Sequence, residues 1–183
     1  MTLLVVVVII AAVALVVVAL YNSLVRARNT VDNAWSQIDV QLKRRLDLIP
    51  NLVETVKGYA THEQTTFDAV ISARKSALAA PSQPGPQAEA DNLVSGALRQ
   101  LFALSEAYPD LKANQNFLSL QEELTATESR VAYARQFYND AVLTFHNKLD
   151  TFPTVVIAKI GTFPRRDFFE AEPEAQNPPS VSF

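Results

Sequence analysis

Residues 117–152 read FLSLQEELTATESRVAYARQFYNDAVLTFHNKLDTF, and this stretch decides the fold. Phe117, Leu120, Leu124, Thr127, Val131, Ala134, Tyr138, Val142, Phe145, Leu149 and Phe152 follow one another at steps of three or four. On a helix those steps lay one apolar stripe along a single face. The 36 residues contain neither Gly nor Pro and would make a helix roughly 54 Å long. Near-heptad spacing of that length predicts coiled-coil-like packing in an antiparallel bundle. Phe137, Tyr138, Phe145 and Phe152 are expected in the core. Thr125 to Glu128 matches a capping box, but it lies inside the helical pattern and is not read as a helix start.

The neighbouring segments repeat the pattern. Upstream, Leu93, Val94, Leu98, Leu101, Leu104 and Tyr108 predict a helix that Pro109-Asp110 breaks. Before it, Pro81-Ser82-Gln83-Pro84-Gly85-Pro86 reads as a linker. Earlier still, Val31, Trp35, Ile38, Leu42, Leu46 and Ile49 form another stripe, and Pro50 follows. The apolar phase continues through Leu52, Val53, Val56, Tyr59, Phe67, Val70 and Ile71, so a kink at Pro50 and a new helix there both remain open. Downstream, Pro153 ends the long helix. Val155, Val156, Ile157, Ile160 and Phe163 then form a short apolar element, helical or extended, expected to cover one end of the bundle. Phe168 and Phe169 offer a docking patch as an alternative to core. From Glu170 the acidic, proline-bearing tail is expected to be disordered, and Val181-Ser182-Phe183 would present a terminal carboxylate.

The N-terminus sets the environment. Leu3 to Leu20 is an unbroken run of 18 apolar residues, with no charged side chain before Arg26. As a helix it spans roughly 27 Å, close to the thickness of a bilayer's hydrocarbon core. Its valines would suit a strand elsewhere, but a lone strand in lipid leaves its amides unsatisfied. A cleaved signal would need a basic start, a shorter apolar core and a small-residue cleavage site. Met1 and Thr2 carry no base, and Val17-Val18-Ala19 cleaves poorly, so a retained anchor is expected. No Gly or Pro separates this run from the next stripe, which predicts one continuous helix. Arg26, Arg28, Lys43, Arg44 and Arg45 all follow the span and none precedes it. The positive-inside rule then puts the N-terminus outside and the domain in the cytoplasm. Ala11, Ala12 and Ala14 are followed four residues later by Leu15, Val16 and Val18, so no small-xxx-small motif signals pairing of spans.

Composition excludes several function classes. The net charge is -3, so no global basic field invites nucleic acid. There is no cysteine, hence no disulfide, thiolate chemistry or lipoprotein anchor. Four glycines in 183 residues argue against a phosphate-cradling loop. His62 and His146 are the two histidines, and neither forms a Glu-x-x-His pair, so no metal site or cofactor is expected. Glu122 and Glu123 diverge around a helix; Asp47 and Asp140 could meet only across helices. No nucleophile with an adjacent base is visible, and no catalytic residue or enzymatic activity is assigned.

Two motifs carry candidate partner-binding residues. Arg44, Arg45 and Asp47 form the densest charge cluster, read either as a solvated helix face or as a contact point. Tyr108, Asp110 and Lys112 lie in a turn motif, read either as a lock between helices or as an exposed recognition tip. Arg26 and Arg28 are near enough to the span to meet anionic headgroups.

Several of these stretches resemble the LemA family. The similar segments are Arg44-Arg45-Leu46-Asp47-Leu48-Ile49-Pro50-Asn51-Leu52-Val53, Ala107-Tyr108-Pro109-Asp110-Leu111-Lys112-Ala113-Asn114, and Ala134-Arg135-Gln136-Phe137-Tyr138-Asn139. Tyr21-Asn22-Ser23-Leu24-Val25 after the anchor also resembles it, whereas Phe145-His146-Asn147 departs from the family's more usual Tyr-Asn. The resemblance extends from the anchor to about Phe169. It implies a single-pass protein of the bacterial cell membrane, all-α, with residues 1–25 as anchor, 26–169 as a LemA-like four-helix bundle and 170–183 as tail. It implies no activity. Relatives often occur beside a membrane-embedded zinc metallopeptidase, which makes that peptidase a candidate partner by association only.

Three functions are carried forward. The first is a membrane-anchored scaffold or adaptor of the cell envelope, meeting the bilayer through Leu3 to Leu20, other membrane or envelope proteins, and further copies of itself. The second is an enzyme using carboxylates and tyrosines around Asp47, Asp110 and Tyr138. The third is a module binding lipid or peptide between helices.

Overall fold

A computed structural model describes residues 1–169, and they are all-helical. The helices are α1 (Thr2–Lys57), α2 (Gln64–Ala79), α3 (Pro84–Ser105), α4 (Pro109–Lys112), α5 (Gln115–Asp150) and α6 (Thr154–Ile160). The expectations for the acidic tail and the terminal carboxylate lie outside the described residues. The chain divides into two compact units. Unit 1 holds Met1–Ser36 with Gln136–Asp167; unit 2 holds Gln37–Arg135, with Phe168 and Phe169.

The first turns of α1 are apolar and unburied. Its best 18-residue window has a mean hydropathy of 3.6, and none of it is covered by protein. This helix is long and apolar enough to cross a membrane. The absence of Gly and Pro between the apolar run and Arg45 lets the helix continue, as the sequence predicts. Further along unit 1, Leu24, Val31 and Ala34 of α1 and Tyr138, Val142, Phe145 and Leu149 of α5 are buried.

Unit 2 has a continuous apolar core built from α1, α2, α3, α4 and α5. Ile49, Leu52, Val56, Phe67, Leu101, Leu111 and Phe117 are its largest fully buried members. Burying each such side chain is worth about 1.5–3 kcal/mol against the entropy of ordering it.

Pro50 neither ends α1 nor starts a new helix. A proline at this position has no N–H to give to the carbonyl four residues earlier, which is that of Leu46. Arg74 of α2 replaces the missing donor: its Nε–H donates to the Leu46 carbonyl oxygen at 2.9 Å. The helix therefore passes the proline without leaving a buried acceptor unpaired. The turn to α2 comes later, at 58–63, where Tyr59 and Ala60 N–H groups both donate to the Val56 carbonyl.

Other boundaries differ from expectation for local reasons. Helix α3 begins inside the expected linker, at Pro84, with proline in its first turn. First-turn N–H groups have no helical partner, so Pro84 and Pro86 cost nothing there. Gln87 then donates from Nε2 to the carbonyls of Ala80 and Pro81, closing the loop against the end of α2. Helix α5 spans 36 residues, starting and stopping two residues before the predicted limits. Because it ends at Asp150, Phe152 falls off the stripe and is 82% exposed rather than core. Phe137 is also exposed: it precedes Tyr138, which holds the core position, by about 100° around the helix. Leu93 beside Val94 and Ile71 beside Val70 are exposed for the same reason, whereas Tyr138 and Phe145 are buried as expected. The short apolar element is helical, but Val156 and Ile160 face outward.

Candidate functional site

In unit 2 the strongest polar feature is a buried charge cluster. Arg45 on α1 is 3% exposed and donates from Nη1 to Asp91 Oδ1 of α3 at 2.8 Å. Arg135 on α5 donates from Nη2 to the other oxygen, Asp91 Oδ2. Each carboxylate oxygen therefore takes one guanidinium. Glu128 Oε1 stands 3.9 Å from Arg45 Nη2 and adds a second, exposed negative charge. The Arg135 guanidinium lies over the Phe169 ring at 4.7 Å from its centroid, a cation–π arrangement. Phe169 is buried and Phe168 exposed.

Of the candidate cluster, Arg44 and Asp47 are exposed while Arg45 is inside. Its neighbour in space, Asp91, was not singled out from the sequence. The signal was present: Asp91 stands in phase with Val94, Leu98 and Leu101, as Arg45 does with Leu42 and Ile49. A charge at a core phase position needs a partner, and here each supplies the other's.

The turn motif locks the far connections of unit 2. Tyr108 donates its hydroxyl to Glu63 Oε1 at 3.1 Å. That hydrogen bond to a carboxylate, with some desolvation and the carboxylate's charge, raises the phenol pKa above its usual value. Asn114 caps α5 by accepting the Phe117 N–H at 3.0 Å on Oδ1, and its Nδ2 donates to the Tyr59 hydroxyl at 2.8 Å. One motif thus ties the α1–α2 turn to the start of α5. Lys112 pairs with Glu106 at the surface, and Asp110 is exposed in the first turn of α4.

Unit 1 has its own polar lock. The Tyr138 hydroxyl donates to the Asp167 carbonyl at 2.8 Å, and its ring lies 5.5 Å from that of Trp35. Burial pushes the Tyr138 phenol up to about 12; Arg166 opposes this, and the charges of Asp167 and Asp32 add to it. Arg166 pairs with Asp32 at 2.8 Å, and Arg165 with Asp150 at 2.6 Å. The residues after α6 are thereby strapped to α1 and α5 within this unit.

Unit 1 also carries a groove of about 500 Å³, lined by Ser23, Arg26, Thr30, Phe137, Asp140 and Lys148 among others. Lys148 Nζ donates to Ser23 Oγ at 2.7 Å. A serine beside a lysine invites comparison with a Ser–Lys nucleophile pair. Both residues sit within helices, where backbone N–H groups are committed to the helical ladder and cannot supply an oxyanion hole. A second groove in unit 2, about 330 Å³, runs along Ile49, Pro50, Val53 and Ile71 with Lys57 and Arg74 at its edge. Glu54 is its one carboxylate, and Asp140 is the one carboxylate of the first groove. Neither groove therefore holds a pair of carboxylates. Among the described residues, no group of three or more His, Asp or Glu side chains gathers where it could hold a metal ion.

A model of the LemA family matches residues 34–183. The chain belongs to the LemA family. Protein LemA of Metamycoplasma hominis is 26% identical over 138 residues, covering 75% of this chain and 63% of its own length. Magnetosome protein MamQ 2 of Paramagnetospirillum magneticum is 24% identical over 184 residues, covering 86% of this chain and 67% of its own. MamQ of Magnetospirillum gryphiswaldense is 23% identical over the same length. This LemA-family chain thus spans about two thirds of the length of the curated relatives it matches. None of these names denotes an enzyme. With its apolar N-terminal helix, the chain is a membrane-associated helical protein.

Proposed function

We propose that this protein is a membrane-anchored helical scaffold or adaptor of the bacterial cell envelope. The observation that carries the reading is the character of α1. Its apolar N-terminal part has no protein cover, and the same helix contributes buried residues farther on, with no flexible break between. On this reading residues 1–25 form a single-pass anchor, 26–169 an antiparallel four-helix bundle, and the basic residues after the span hold the bundle in the cytoplasm. On this reading the bundle presents long, polar-faced helices, which suits protein–protein contact.

Partner contacts then fall to the exposed members of the two motifs. Arg44 and Asp47 form one contact point, Asp110 and Lys112 the other. Arg45 and Tyr108 support them from beneath through Asp91 and Glu63. Candidate partners are other envelope proteins, a membrane metallopeptidase among them, and further copies of this chain.

The test is in-cell crosslinking followed by the mass of the detergent-extracted full-length protein. The expected result is a defined assembly or a stably co-purifying membrane protein, lost on charge reversal at Arg44 and Asp47. A lone monomer with no crosslinked partner refutes the scaffold reading and turns attention to the unit 1 groove as a lipid- or peptide-binding site.

A further inference from the structure

Helix α6 and the turn before it leave large apolar side chains uncovered. Phe152 is 82% exposed, Val156 49% and Ile160 80%, and they recur at intervals of four residues. The last two lie on one face of α6, with Phe152 leading into it. Contiguous apolar exposure of this kind marks an interaction surface, and unit 1 itself supplies nothing to cover it.

The surroundings identify what covers it. Tyr21 directly follows the apolar run, and its ring meets the Phe163 ring edge-on at 5.7 Å between centroids. Gly161 makes that approach possible, because a Cβ there would lie 2.6 Å from Phe163 Cε2. The C-terminal end of α6 is thus held at the level where the apolar run stops. The other end is held close by: the Thr154 hydroxyl donates to the Lys148 carbonyl, with the Thr151 carbonyl 3.0 Å away, and Lys148 reaches Ser23. Ser23 lies about 4.5 Å along the helix from Leu20, within the depth of a bilayer's headgroup layer. Arg26, six residues after Leu20, and Lys159 on α6 are both exposed and carry positive charge suited to phosphate-bearing headgroups.

We infer that residues 152–163 form an interfacial collar, with Phe152, Val156 and Ile160 entering the leaflet from which α1 emerges. The collar rests on the reading of residues 3–20 as a span. It fixes how the unit 1 portion of the domain stands on the lipid surface, which a single helix crossing cannot do, since a lone span is free to tilt and rotate.

The chain lacks cysteine, so single labelling sites can be introduced cleanly. Full-length Ile9→Cys, Phe152→Cys, Ile160→Cys and Gln136→Cys would each carry a nitroxide, in vesicles of phosphatidylcholine and phosphatidylglycerol. All four positions are exposed, so none of the replacements removes a core contact. Power saturation then compares accessibility to oxygen, which favours lipid, with accessibility to a water-soluble nickel chelate. The expected ratio at 152 and 160 is several-fold above that at 136, with position 9 deeper still. A lipid-embedded position 9 with positions 152 and 160 as aqueous as 136 overturns the collar and leaves the anchor standing. An aqueous position 9 overturns both.

Discussion

Removing the Asp91 carboxylate should destabilise unit 2 strongly, because it leaves buried charge unpaired. The side chain is 4% exposed and is met by Arg45, equally buried, and by Arg135, 23% exposed. In Asp91→Ala two guanidiniums face each other around a small void, with the exposed Glu128 3.9 Å from Arg45. Breaking a buried pair from one side costs about 3–5 kcal/mol, because the abandoned charge is left without solvent. Arg135 can recover some water by turning outward, while Arg45 cannot, so about 4 kcal/mol is the expected loss. For a chain of this length that lowers Tm by roughly 8–16 °C. Asp91→Asn should lose nearly as much, since the amide keeps the shape but not the charge. The assay is urea unfolding of the full-length protein in detergent micelles, followed by helical circular dichroism. A loss below about 1 kcal/mol for Asp91→Ala would refute the claim that the cluster is buried and mutually dependent.

Three further outcomes follow from individual contacts. Arg74→Ala should destabilise by about 1–3 kcal/mol by orphaning the Leu46 carbonyl. Pro50→Ala in that background should restore most of it, because an N–H returns to position 50; equal losses with and without the proline would show that Arg74 acts otherwise. Asn114→Ala should cost about 1 kcal/mol as a lost helix cap and speed proteolysis at the 58–63 turn, to which Asn114 is tied through Tyr59; unchanged cleavage there would sink the tie. Tyr138 holds its proton more tightly folded than unfolded, since its pKa is raised from 10.0 to about 12. Its contribution is complete below pH 10 and fades as pH rises through the folded value, so wild type should lose stability relative to Tyr138→Phe between about pH 10 and 12. Parallel alkaline profiles for the two proteins would contradict this.

The helices were legible because their signals are long. A 36-residue stripe averages out local noise, and α5 lies within two residues of its predicted limits. What the stripe could not supply was its own width. Phe137 and Leu93 each adjoin a true core position, and hydrophobicity alone does not tell which of two neighbours points inward. Pro50 was undecidable for a different reason. Its outcome depends on Arg74, 24 positions later, and a donor supplied from another helix leaves no local trace. Asp91 and Arg135 stand far from Arg45 in the chain and meet it only in space, so no local charge cluster marks them. The turn motif around Tyr108 was readable as a lock, yet its partners Glu63 and Tyr59 were not.

The buried cluster also bears on why the helices of unit 2 settle in one register. Stripes that repeat every three or four residues over many turns can slide by one turn, about 5.4 Å, and still bury apolar area. Arg45, Asp91 and Arg135 lie on three different helices and meet only in one alignment. A slip of either neighbour by a turn would strand a guanidinium among aliphatic side chains, so the cluster penalises the alternatives. Replacing all three together, as Arg45→Met, Asp91→Leu and Arg135→Met, removes that penalty along with the desolvation cost. The triple variant should therefore be as stable as wild type or more so, while Asp91→Leu alone is strongly destabilised. Its register should loosen. With no native cysteine, pairs placed on α1 and α3 near residues 45 and 91 can test this directly. In wild type only the in-register pair should oxidise; in the triple variant, pairs offset by one turn should form as well. If the triple variant keeps a single crosslinked register, apolar packing alone sets the alignment, and the cluster must be explained some other way.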